Sequence, residues 1–314
     1  MVGRPRTLET LAGLNRREEP ARLPASGERL VVLFGATGRL GRALARRLTI
    51  DRRRLLAVAH EIIPAGLPAL IELLRDIGAA GGLDMVFAGG LTDPALAEPD
   101  LIAANVSLPL SVIDATRDIR DLRWLTVGSA LEQVPALAAS NPYLRSRRRL
   151  SETIQAQTSA LGAERIVHLR LHTLYGGAPI AHMFLGQMAD ALACARPFAM
   201  SSGKQRREFH HVDDIAAAIV ALLGRVWAFP DGLELAAGDA VRLGDLAEAV
   251  FGALGRRELL RVGSLATPAG EETIVPSTPS PPWLLTARRR QQDGVIAWLR
   301  AYLAGKSSLR EGRA

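Results

Sequence analysis

The stretch that most constrains this chain is Leu30–Val31–Val32–Leu33–Phe34–Gly35–Ala36–Thr37–Gly38–Arg39–Leu40–Gly41. An apolar run ends in three glycines at GxxGxxG spacing. Leu40, Ala43, Leu44 and Leu48 then recur every three or four residues, which gives a following helix one apolar face. A buried strand, a tight glycine turn and a helix N-terminus make a place for a pyrophosphate. Backbone N–H groups and the positive end of the helix dipole face the anion, and glycine lets the backbone come close. The competing reading is a glycine-rich strand–helix turn that holds no ligand.

With 314 residues, 48% of them hydrophobic, the chain has ample material for a core. No run approaches the roughly 18 apolar residues of a membrane span. Residues 1–27 mix Arg, Glu and Pro without an apolar stretch or any periodicity, which predicts a disordered arm and no secretory leader. Cys194, the single cysteine, excludes an internal disulfide, and its alanine- and leucine-rich setting predicts a buried helix face. A cytoplasmic location is expected. The net charge of +7 raises nucleic-acid binding, but the basic clusters (Arg52–Arg54, Arg147–Arg149, Arg288–Arg290) are scattered and the 4% of aromatic residues offer few stacking platforms. Neither nucleic acid nor membrane is an expected partner. Lys204 and Lys306 are the only lysines among 39 basic residues, so arginine fills most cationic positions.

Strand and helix patterns alternate along the first part of the chain. Strands are expected at Leu55–His60, Leu83–Gly90, Trp124–Ser129 and Ile166–Leu171. Helices are expected over 61–82, over 101–115 with a break at Pro109, and after Asn141–Pro142, where Asn caps and Pro fills the first helical position. This predicts an α/β fold, a Rossmann-type doubly wound parallel sheet. Beyond Tyr175–Gly176–Gly177 the pattern changes, and a smaller C-terminal substrate lobe is expected. The dinucleotide-binding domain would span 28–175 with a return segment at about 211–240; the lobe would hold 176–210 and 241–314.

Tyr143 and Arg147, four apart on the helix opened by Asn141–Pro142, share a face. A cation beside a phenol favours the phenolate, the form a general base uses. Ser129 ends the preceding strand, where ligands of parallel sheets are met. His168 and His172 form no metal pair on a strand, no cysteine cluster exists, and no metal is expected. Asp213 or Asp214 is expected to cap a helix.

In order along the chain, these residues resemble an extended short-chain dehydrogenase/reductase of the NAD-dependent epimerase/dehydratase type that acts on nucleotide sugars. The resemblance rests on Gly35–Gly41, Asp84–Gly90, Asn105–Val106, Gly128–Ser129–Ala130, Asn141–Pro142–Tyr143 to Arg147, Leu169–Arg170–Leu171, Tyr175–Gly176 and Arg207–Asp214. It implies an NAD(P)-dependent oxidoreductase or epimerase acting on a nucleotide-linked keto-sugar. Tyr143 would be the acid/base, Ser129 its partner at the reacting oxygen, and Arg147 the holder of the nicotinamide ribose, where the family keeps a lysine. Cofactor contacts would come from Gly35, Thr37, Gly38, Arg39, Leu40, Gly41, His60, Ala88, Gly89, Gly90, Asn105, Tyr143 and Arg147. Ser129, Thr173 and Arg207 would meet substrate, with Arg207 on its diphosphate. A homodimer is the expected assembly.

The departures from the family pattern are specific. His60 stands about where an NAD-selective acid would end the second strand. Arg39 and Arg42 lie near the place of a 2′-phosphate, which tilts the expectation between NAD and NADP to NADP. The family's third strand is missing from 61–82. Ala130 and Leu131 replace the Asp–Glu pair of the family's dehydratases, which disfavours dehydration, and Glu132 reads as an exposed loop carboxylate. The alternatives are a non-catalytic NAD(P)-binding regulator or sensor, and a reductase of a non-sugar ketone.

Overall fold

The computed structural model describes residues 29–58, 63–225, 227, 229–267, 279–281, 283–285 and 288–311. The expected N-terminal arm and His60 lie outside them. The apolar run becomes β1 (Leu30–Phe34), buried along its whole length. Val31 and Leu33 face one core with Leu40, Leu44 and Leu48, whereas Leu30, Val32 and Phe34 face another with Leu83, Met85 and Trp124. A strand buried on both faces belongs inside a parallel sheet covered by helices.

The chain continues through α1 (Arg39–Ile50), β2 (Leu55–Val58), α2 (Ile63–Ala80), β3 (Leu83–Phe87), α3 (Glu98–Ile102), α4 (Leu108–Thr116), β4 (Leu122–Ser129), α5 (Pro135–Ser140), α6 (Pro142–Leu161) and β5 (Ile166–Leu171). After these come β6 (Thr173–Tyr175), α7 (Phe184–Ala193), β7 (Phe198–Ala199), β8 (Arg206–Arg207), β9 (Phe209–His211), α8 (Val212–Leu223), β10 (Leu233–Leu235), β11 (Val241–Arg242), α9 (Leu243–Ala253), β12 (Leu260–Arg261) and α10 (Gln291–Glu311). Six parallel strands form the central sheet in the order β2-β1-β3-β4-β5-β10. The chain winds outward from β1 in both directions, so a crevice opens where β1 and β3 end side by side. Among the described residues β2 is the outer strand on its side, and α2 leads straight back to β3. A third cluster of apolar residues (Met188, Phe198, Phe209, Phe251, Val295 and Leu299 at its centre) packs α7, α9 and α10 together.

Several local expectations are corrected. The helix expected over 101–115 is α3, a π-helical stretch Ala103–Ser107 and α4, so the break precedes Pro109. The missing N–H of Pro109 then falls in a first turn, where it costs nothing. Cys194 ends α7 exposed, not on a buried face. The cap of α8 is His211, whose Nδ1 accepts from the Asp213 N–H at 3.2 Å. Asp213 pairs with Arg46 at 2.8 Å, and Asp214 pairs with Arg289. The Asn141 cap stands as expected: its Oδ1 accepts from the Leu144 N–H at 3.1 Å.

The sheet is fastened at its other end by a fully buried carboxylate. Asp84 accepts from Arg29 Nε at 2.8 Å and from Arg123 Nε at 2.7 Å, and its second oxygen accepts from Arg123 at 2.9 Å. Arg123 also donates to the carbonyls of Leu223 and Arg225, tying β4 to the end of α8. Removing the carboxylate leaves Arg123 without its buried counter-charge while Arg29 keeps Asp121, so Asp84→Ala is expected to lower stability by about 3 kcal/mol. Urea denaturation of the two proteins measures it.

Candidate cofactor and substrate site

Two of the glycines at the turn are required by contacts inside the chain. Gly35 has φ +82°, and a Cβ there would overlap the Cα of Gly89. A Cβ on Gly41 would overlap the carbonyl oxygen of Gly35. Gly38 differs. It is exposed, its Cβ would stand 3.3 Å from the Gly35 oxygen, and it opens α1 without a side-chain cap. The α1 N-terminus therefore presents its first N–H groups beside the crevice, as an anion site needs. The Leu40 side chain is buried in the core, which leaves only its backbone for a ligand, and Thr37 is exposed on the turn. Gly41→Ala is expected to destroy the turn and the fold. Gly38→Ala should leave the melting temperature near that of the parent and weaken NADH binding, as read by fluorescence titration.

Arg39 does not stand where a 2′-phosphate anchor was expected. Its guanidinium donates to the carbonyls of Leu174 and Ala178, both at 2.7 Å. It thus reaches across the sheet toward β6, away from β2. Arg42 turns back onto the Thr37 carbonyl.

The loop after β3 forms the opposite wall. Ala88 N–H donates to the Phe34 carbonyl at 3.0 Å, so Gly89 lies against Gly35. Asn105, fully buried, accepts from the Leu91 N–H and donates to the Leu91 carbonyl, both at 2.9 Å, and donates to Ser146 Oγ at 3.0 Å. Its amide is a clamp between this loop and α6. Gly90 (φ +139°) has no room for a Cβ against Arg147 and Asn105. Arg147 is only 5% exposed and donates to the Val127 carbonyl at 3.0 Å. Its Nε is buried with no hydrogen-bond partner among the described residues.

The Arg147 guanidinium carbon lies 5.5 Å from the centre of the Tyr143 ring. That ring packs on Leu137, Ala138 and Leu144, and α6 lies over β4 and the short turn that follows Ser129. Tyr175 is no rival as an acid/base: its hydroxyl is wholly buried, and burial, with Asp214 adding, pushes it up to about 12. Ser129 ends β4 half-buried, with its Oγ accepting from the Leu131 N–H at 3.3 Å.

Glu132 overturns the expectation of an exposed loop carboxylate. It is 1% exposed; one oxygen accepts from the Ser129 N–H at 2.9 Å, and the other lies 2.9 Å from His168 Nε2 and 3.3 Å from Arg170 Nε. His168 Nδ1 meets Thr126 Oγ1 at 2.8 Å, and Arg170 reaches Ser151 and the Asp231 carbonyl on its far side. The sequence carried a signal for this. His168, Arg170 and His172 alternate with Val167, Leu169 and Leu171, so period 2 puts the polar three on one face.

On the substrate side, Thr173 is half-buried in β6 and pairs with Phe209 of β9. Arg207 is half-buried in β8, paired with Val241, and donates to the Arg206 carbonyl at 2.8 Å. Between them, buried Glu208 joins the two cores: it accepts from the N–H groups of Ala237 (2.7 Å) and Gly238 (2.8 Å) and meets His210 Nε2 at 3.0 Å. Burial alone would raise its pKa, but the His210 hydrogen bond, the Ala237 N–H and the neighbouring imidazoles bring it down to about 2. A depressed carboxylate adds stability above its unfolded value and loses it as pH falls through the folded one. The stability gap between the parent and Glu208→Gln, on the order of 3 kcal/mol by that linkage, should hold from pH 7 to about 5 and close toward pH 2. Urea titrations across that range measure it.

Sheet order, glycine turn and crevice together define a Rossmann-type α/β protein. Residues 31–235 match the family model described as the NAD dependent epimerase/dehydratase family, and the chain belongs to that family. Solved structures repeat the fold. UDP-N-acetylglucosamine 4-epimerase from Methanobrevibacter ruminantium M1, in complex with UDP-N-acetylmuramic acid, is 14% identical with a TM-score of 0.69 over 88% of this chain and 99% of that one. The NAD-dependent NDP-hexosamine 5,6-dehydratase TunA is 15% identical, TM-score 0.69, over 88% and 98%. MoeE5 in complex with UDP-glucuronic acid and NAD is 20% identical, TM-score 0.66, over 87% and 99%.

Proposed function

We propose that this protein is an NAD-dependent epimerase or ketoreductase acting at one carbon of a nucleotide-diphosphate sugar. The observation that carries the reading is the Arg147 guanidinium, which lies 5.5 Å from the centre of the Tyr143 ring and against Gly90. The residues fit a dinucleotide: the N–H groups opening α1 would hold its pyrophosphate, and Arg147 its nicotinamide ribose. When bound, the nicotinamide supplies the hydride acceptor or donor. Tyr143 takes the proton of the sugar hydroxyl on oxidation and returns it on reduction. Ser129 steadies the same oxygen: its Oγ already accepts from Leu131, which leaves its O–H free to donate. Arg207 suits the diphosphate, and the UDP-sugars held by structures of the same fold support that substrate class.

Two narrower choices have support at the site. Dehydration lacks its carboxylates, since Ala130 and Leu131 offer none and Glu132 faces the sheet. NAD is favoured over NADP because Arg39 and Arg42 are both engaged by carbonyls. The second reading, a protein that binds the dinucleotide without chemistry, draws on arginine standing where the family keeps lysine; the two side chains are not equivalent. NADH oxidation with a panel of UDP-keto-sugars, together with interconversion of UDP-sugar epimers, which consumes no net NADH, separates them. Turnover should fall by about 10²–10⁴-fold in Tyr143→Phe with NADH affinity kept, and Arg147→Ala should weaken NADH binding. Binding without turnover of any UDP-sugar, unchanged by Tyr143→Phe, overturns the proposed reaction.

A further inference from the structure

Beneath the active face lies a charged cluster that the proposed chemistry does not itself use. Glu132, His168 and Arg170 are each at least nine-tenths buried, between β5 and α6. Glu132 and Ser129 form a reciprocal cap: the Ser129 side chain accepts from the turn that follows it, and the Glu132 carboxylate accepts from the Ser129 N–H. The space for this arrangement exists because residue 128 is glycine. A Cβ there would overlap both His168 Nε2 and Glu132 Oε2. Three positions, Gly128, Glu132 and His168, thus interlock at the end of β4.

We infer that Glu132 is a positioning residue for Ser129, held in place by His168 and Arg170 and admitted by Gly128. A buried carboxylate keeps its place only if its oxygens are filled by donors, and here the Ser129 N–H, His168 and Arg170 fill them. Arg170 is fixed in turn by Ser151 and the Asp231 carbonyl, and His168 by Thr126, so the carboxylate is anchored to β4, β5 and α6 at once. The Ser129 backbone is held from below, and its hydroxyl accepts from Leu131, which leaves the O–H free to donate. The inference rests on the proposed function for its catalytic consequence and on the geometry alone for the fixing of Ser129.

Hydrogen–deuterium exchange resolved at Ser129 tests the fixing without any substrate. The Ser129 amide should be protected in the parent protein and partly protected in Glu132→Gln, whose one amide oxygen can still accept from it while its NH2 faces His168 and Arg170. It should lose protection in Glu132→Ala while Leu125 and Val127 keep theirs. Gly128→Ala, which displaces the pair without removing a charge, should give the same loss, and it serves if Glu132→Ala does not fold. With a UDP-keto-sugar that the parent protein reduces, kcat in Glu132→Ala should fall by about 10²-fold. KM and NADH affinity should stay at parent values, and Glu132→Gln should recover most of the rate. A Ser129 amide that stays protected in the folded variants, or a kcat unchanged while only the melting temperature falls, overturns the inference. A parent protein that turns over no UDP-sugar counts against the proposed function instead and leaves the exchange result to decide the positioning.

Discussion

Everything at the site is placed by the backbone of Gly35 lying against the backbone of Gly89. The contact brings the ends of β1 and β3 closer than any side chain allows. It thereby seats the α1 N-terminus on one wall of the crevice and the Gly89–Leu91 loop on the other. Asn105 then fixes that loop to α6, and α6 delivers Tyr143 and Arg147 to the same opening. Moving either glycine backbone by the size of a methyl group shifts both walls, so α6 and the glycine turn cannot be repositioned independently.

Around that contact three carboxylates are buried among the described residues, and each joins elements that apolar packing alone leaves free to slide. Asp84 ties β3 to β4 and, through Arg123, to the end of α8. Glu132 ties β4, β5 and α6 beneath Ser129. Glu208 ties β9 to the chain leaving β10, and so holds the C-terminal apolar cluster to the sheet. Each is matched by arginine, histidine or backbone donors, the condition under which buried charge is tolerated. The chain's heavy use of arginine suits this, because a planar fork can meet two acceptors at once.

The alternating strands and helices, the glycine turn and the Asn141 cap are all legible in the sequence, because each is set by local spacing or by residue types with one backbone preference. Ser129, Tyr143 and Arg147 stand out as candidates by their order along the chain, and the fold brings their elements together. Long-range polar pairing was not legible. The side chain of Arg39 could turn either way from the first turn of α1, and only the carbonyls of Leu174 and Ala178, more than 130 residues on, decide it. Glu132 reads as a loop carboxylate until His168 and Arg170 are seen to face it from β5. His211 caps α8 because the helix begins at Val212, which puts the two aspartates inside its first turn, where they pair with Arg46 and Arg289.

A crystal structure of the protein with NAD tests the account most directly. The pyrophosphate should lie on the N–H groups of Arg39 and Leu40, with Arg39 and Arg42 still on their carbonyls and the Arg147 guanidinium against the nicotinamide ribose. NAD bound elsewhere, or lying in the crevice with its nicotinamide ribose away from Arg147, would contradict the proposed site.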